Sequence, residues 1–209
     1  MLTTLVNIGN ILLFLNLVLF VKCFSKEGKA FSIFTFYLAL MFLIQVSSDM
    51  MTKFRINNLY LSHFYFIGQF LVLGLFYGTI FKTQKLKKYI LTMGIIGLTI
   101  ILLQYIFDPS QFFKFNLFEI SVTSLLVLIF AVIHLYNMLT EKKEFYYINW
   151  GIIIYLFGST ILFICGNLIV TLNREFTKLP WILNAFLYII YQLFITFEWY
   201  KNFSKSKIQ

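Results

Sequence analysis

The stretch NWGIIIYLFGSTILFICGNLIVTL, residues 149–172, runs for 24 residues without a single charge. A hydrocarbon layer about 30 Å thick, crossed at 1.5 Å per residue, asks for about 20 mostly apolar residues. The stretch meets that length and reads as a membrane-spanning helix. The same ruler carried outward finds six more runs, at 2–24, 31–48, 59–81, 89–107, 116–139 and 181–200. The second is the least apolar, and extends through Ser47 and Ser48 to about Met51 if neighbours shelter its outer end. Composition agrees: 60% of the 209 residues are hydrophobic and 12% charged. A soluble domain needs about twice that charge. The fold expected is therefore all-α: a polytopic integral membrane protein, one seven-helix bundle over residues 1–209.

Orientation follows from lysine and arginine. With the N-terminus outside, the inner connections hold Lys22, Lys26 and Lys29, the group Lys82, Lys85, Lys87 and Lys88, the pair Lys142 and Lys143, and Lys201, Lys205 and Lys207. The outer connections hold only Lys53, Arg55, Lys114, Arg174 and Lys178. Basic residues concentrate on the cytoplasmic side, so the N-terminus is expected outside and the C-terminus in the cytoplasm. The first run has no basic stretch ahead of it and reads as a span, not a cleavable signal. The net charge of +9 is dispersed in short clusters between apolar runs, which argues against a nucleic-acid partner. Cys23 and Cys165 lack a C-x-x-C partner and read as packing residues. Pro109 and Pro180 fall in outer connections. Trp181, Trp199 and the Tyr146–Tyr147–Trp150 group sit where an aromatic belt belongs.

Polar groups inside spans are costly and so mark function or interhelical hydrogen bonds. Asn7 and Asn10 share one face of the first run, with Asn16 turned away. Asp49 closes the second. In the third, Ser62, Tyr65 and Gln69 share a face with His63 one position round, and Gly74 and Gly78 form a G-x-x-x-G for close helix packing. Glu119, one turn into the fifth run, is the residue most singled out. It reads as a functional acid, an ion partner of His63 or Arg174, or a snorkelling end residue. His134 stands at the inner end of that run. The sixth holds Tyr155, Ser159 and Asn167, and the seventh a stripe of Asn184, Tyr188, Tyr191 and Glu198 with Gln192 beside it. Most of these fall in the outer half. A polar pocket opening outward, lined by the third, fifth and seventh helices, is expected to bind a ligand or partner through His63, Tyr65, Gln69, Glu119, Asn184 and Tyr188.

Several chemistries lack their residues. No lysine lies at mid-membrane depth for a retinal Schiff base. Two histidines expected at opposite membrane faces serve neither a zinc site nor a bis-histidine haem. No G-x-S-x-G or P-loop occurs. No metal or cofactor is expected. Prolines avoid the spans, which weakens a transporter built on broken helices.

His63-x-Tyr65, Glu119 early in the fifth run, Phe157-Gly158-Ser159 in the sixth and Asn184 in the seventh carry a resemblance over nearly the whole chain. The chain resembles a diffuse group of small seven-helix membrane proteins of Bacteroidota-type bacteria, most of them uncharacterised. Gln69 stands where an acidic residue is usual in that group. The resemblance implies the fold and no activity. Together with heavy Lys, Ile, Asn and Phe usage, it suggests the inner membrane of a bacterium. Three functions remain open: a non-enzymatic membrane subunit or sensor, a small-solute or ion transporter using Glu119 and Tyr188, or a lipid-directed enzyme with Asp49, His63 and Glu119 as acid–base groups. The first is expected to have a membrane protein partner besides the lipid bilayer.

Overall fold

The computed structural model describes residues 1–25, 27–172 and 178–204, with the side chains of 167–172 left aside. The described residues form seven long helices and no strand: α1 (Leu2–Cys23), α2 (Lys29–Lys53), α3 (Leu61–Ile80), α4 (Gln84–Phe107), α5 (Leu117–Asn137), α6 (Tyr146–Leu172) and α7 (Leu179–Glu198). All seven are long and apolar enough to cross a membrane. Exposed apolar side chains run along them, including Phe36, Leu43, Leu75, Leu91 and Ile106, each more than half exposed. Such a surface is one that lipid, and not water, solvates well.

Helix ends differ from the apolar runs where local chemistry extends or stops the backbone. α2 runs on to Lys53 and ends in a Schellman motif. Arg55, at φ 57°, donates its N–H to Thr52, and Ile56 donates to the Met51 carbonyl at 2.9 Å. α4 opens at Gln84, five residues ahead of its apolar run, and so takes in Lys85, Lys87 and Lys88. Pro180 is the second residue of α7 instead of lying in a connection, a position where its missing N–H is an orphan anyway. Pro109 likewise opens a short 3-10 helix, Pro109–Phe113.

The chain divides into two compact units. One comprises Met1–Ser25 and Ala131–Gln209, and holds α1, the end of α5, α6 and α7. Here glycine sets the packing. A Cβ on Gly158 would sit 2.6 Å from Leu187, and one on Gly151 2.9 Å from both Phe194 and Tyr191. α6 and α7 therefore approach closely and antiparallel, as small residues permit. α1 runs parallel to α7, with Gly9 against the Tyr188 ring. Asn16, fully buried, binds α7 through Nδ2 to the Gln192 carbonyl and Oε1, both at 2.9 Å, and accepts from Thr196 at 2.8 Å. At the far end of α7 the fully buried Glu198 accepts the N–H groups of Tyr147 and Ile148, at 2.7 and 3.3 Å, and the Asn202 amide. These are opening N–H groups of α6, which have no partner within their own helix. A wide π turn, Trp199–Phe203, brings Asn202 round to the carboxylate.

The other unit, Lys26–Phe130, holds α2, α3, α4 and most of α5. α2 and α3 are antiparallel around Phe34 and Phe76, whose rings lie 5.2 Å apart, and Gln69 donates to the Tyr37 hydroxyl at 3.0 Å. Gly97 lets α4 close on α5 and α3: a Cβ there would meet Leu126 at 2.5 Å and Phe70 at 3.4 Å.

Candidate functional site

α3, α4 and α5 of the second unit bring three ionisable side chains together. His63 lies one turn into α3, Tyr105 one turn from the end of α4, and Glu119 at the third position of α5. His63 Nδ1 stands 3.2 and 3.1 Å from the two Glu119 carboxylate oxygens and 2.8 Å from the Tyr105 hydroxyl. Tyr105 donates a short hydrogen bond to Glu119 Oε2. The other ring nitrogen, Nε2, lies 2.9 Å from the backbone carbonyl of Phe112. His63 is 3% exposed and Glu119 0%.

A carbonyl oxygen only accepts, so the Phe112 contact pairs with an Nε2–H. Nδ1 faces the Glu119 carboxylate, and the Tyr105 hydroxyl lies against both. A buried imidazole set against a carboxylate is a pairing of groups used to bind and pass on protons.

Local sequence explains the geometry. Asn116 precedes α5, and its side chain accepts from the Glu119 N–H at 3.2 Å, a helix N-cap. Asn116-x-x-Glu119 has the spacing of a capping box, but the carboxylate turns away toward His63 and Tyr105. Asn116 also exchanges amide hydrogen bonds with Gln104 at 2.9 and 3.1 Å, which ties the end of α4 to the start of α5. The connection between them closes over the imidazole. The Phe112 ring stacks on His63 with centroids 5.3 Å apart and itself stacks on Tyr60. Tyr105 meets the imidazole edge-on at 5.6 Å. Asp108 shapes the 3-10 turn by accepting from Ser110 and Gln111, and those bonds hold its carboxyl below the usual carboxylate range.

Of the residues singled out in the sequence, His63 and Glu119 meet. Gln69 is buried deeper on α3 and bonded to Tyr37. Tyr65 is half-buried with its ring edge-on to Phe66 at 5.2 Å. Asn184 and Tyr188 belong to the other unit, where Tyr188 packs on Tyr155 and covers Gly9. The Asn184 side-chain oxygen is buried without a hydrogen-bond partner among the described residues, as is the Thr160 hydroxyl. A Cβ on Gly74 or Gly78 would meet nothing within 4 Å, so no neighbour among the described residues uses the close approach that G-x-x-x-G permits. Asp49 takes a hydrogen bond from Gln45 at 3.3 Å within α2, which runs on past it. His134 is buried, with Nε2 2.9 Å from the Glu144 carbonyl. Asn16, turned away from the Asn7–Asn10 face, is the buried asparagine of α1, whereas Asn7 is exposed. Arg174 and the Asn167 side chain lie outside the described residues.

Sequence reading missed Tyr105, Gln104 and Asn116. A signal was present: Gln104-Tyr105 and Asn116-x-x-Glu119 place polar groups at the facing ends of two consecutive spans joined by a short connection. Among the described residues no group of three or more His, Cys, Asp or Glu side chains is arranged to hold a metal ion. Compared with known protein families, curated proteins and solved structures, the chain matches none.

Proposed function

We propose that this chain is a multi-pass protein of a bacterial inner membrane, N-terminus outside and C-terminus cytoplasmic, acting as a non-enzymatic sensor or complex subunit. In this reading it belongs with the Bacteroidota-type seven-helix group it resembles. The His63–Tyr105–Glu119 cluster is its outer latch. The observation that carries the proposal is the imidazole's double engagement. One nitrogen holds the Glu119–Tyr105 pair and the other holds the Phe112 carbonyl. A ligand or partner that draws on the connection 108–116 therefore acts on α3, α4 and α5 at once.

A photo-crosslinking side chain in place of Phe113, which is 66% exposed, tests this in the native membrane. One dominant protein adduct is expected, with its yield reduced severalfold by His63→Ala. A probe at Leu139 should give the same yield with and without that change. Lipid adducts alone would sink the subunit reading. A second reading, a proton-coupled carrier, is favoured by the buried contact between His63 and Glu119. Buried carboxylate–histidine chains serve as proton relays in pumps and transporters. Its sign would be ion or solute flux in proteoliposomes that Glu119→Gln abolishes.

A further inference from the structure

α4 carries a stripe with the shape and charge order of a phospholipid. Because the helix opens at Gln84, Lys85 and Lys88 lie within its first turns, where no acidic residue accompanies them. Steps of three and four residues from Lys85 and Lys88 lead through Thr92, Ile95 and Thr99 to Leu102, all on one face. Each of these is exposed, Ile95 at 57% and Leu102 at 60%. Lys87, off that line, is half-buried. The opposite side of α4 is the one that packs, through Ile90, Gly97 and Ile101.

From Lys88 to Leu102 the helix rises about 21 Å at 1.5 Å per residue. One leaflet's hydrocarbon is about 15 Å deep, half of a 30 Å core. The stripe is thus long enough to lie along a whole acyl chain, with two ammonium groups at the headgroup end. The helix N-terminus adds its own positive potential there. A soluble acidic partner would match the lysines but not the apolar length beyond them.

We infer that the α4 stripe retains an anionic phospholipid of the inner leaflet, headgroup on Lys85 and Lys88 and chain along Ile95 and Leu102. The inference rests on the membrane orientation proposed above, and goes beyond it in naming a ligand class and its residues.

The test is native mass spectrometry of the full chain equilibrated with equal phosphatidylglycerol and phosphatidylethanolamine. Wild type should retain phosphatidylglycerol preferentially. Each lysine near an anionic headgroup contributes about a fivefold preference, so Lys85→Gln with Lys88→Gln should lower the enrichment by about twenty-five-fold. Lys85→Arg with Lys88→Arg should keep it, which guards against a folding defect. Lys142→Gln with Lys143→Gln should leave it unchanged. Undiminished enrichment in the first pair, or an equal loss in the last, overturns the site. Protease access to a C-terminal tag in right-side-out vesicles separates the two failures. A tag cut from outside breaks the orientation, and the inner-leaflet assignment with it. A protected tag with undiminished enrichment breaks the lipid site alone.

Discussion

Two carboxylates, Glu119 in one unit and Glu198 in the other, are both wholly buried, yet they are held by different kinds of partner. Glu198 faces two backbone N–H groups and an amide. None of these can give up a proton, so the carboxylate behaves as a fixed cap on α6 and complements its positive end. Glu119 faces an imidazole and a phenol that donates to it, side chains in place of backbone. The two carboxylates are alike in burial and differ in what holds them: one caps a helix end, and the other ties three helices together through side chains.

The largest effect should come from breaking the His63–Glu119 pair. His63→Ala leaves Glu119 buried without its imidazole partner, and removing one member of a buried pair costs about 3–5 kcal/mol. Unfolding in lipid-like micelles would read it, and His63→Ala combined with Glu119→Gln should recover part of the loss. A single variant as stable as wild type would mean that water reaches the carboxylate. Next comes Glu198→Ala, expected to cost about 2–3 kcal/mol because it strands buried N–H donors at the start of α6. Glu198→Gln keeps an acceptor oxygen and should restore more than half. If the two glutamates respond alike to glutamine, the contrast between cap and latch is lost.

Tyr105→Phe is a milder cut. It removes the hydroxyl that touches both His63 and Glu119 but leaves those two in contact, so about 1–2 kcal/mol is expected. Hydrogen exchange at residues 108–116 should rise with it, since the connection is tied to the same imidazole. A stability loss with no change in exchange would detach the connection from the latch.

Most of the fold was legible because an apolar run of about 20 residues has few other destinations. The ends were less so. Lys85, Lys87 and Lys88 look like loop in a hydropathy reading, yet nothing in them opposes helix, and α4 takes them in. At the site, Glu119 and His63 stood out by being costly in lipid. Tyr105 did not, since tyrosine is ordinary at a span's end. The sequence pointed to α3 and α5, and these two meet through His63 and Glu119. It did not point to α4, which joins them through Tyr105 and the 108–116 connection. Spacing along one helix gives its faces, but not which neighbour each face meets.

The smallest expected effect bears on the glycines, some of which are crowded by a neighbouring helix and some not. In the first unit Gly151 and Gly158 are crowded by α7, and alanine there must push Phe194 or Leu187 aside. In the second, Gly74 and Gly78 face open space. Alanine at either should be tolerated and, through its better helix propensity, stabilise α3 by about 0.5–1 kcal/mol. Thermal unfolding of the purified chain would measure that gain. The same variants in the native membrane carry the more useful reading. A gain in the purified chain turned to a loss in the membrane would mean that another chain's helix lies against this face, where a methyl group keeps it away. A gain in both settings would leave Gly74 and Gly78 facing lipid, and confine close glycine packing to α6, α7 and the other crowded contacts.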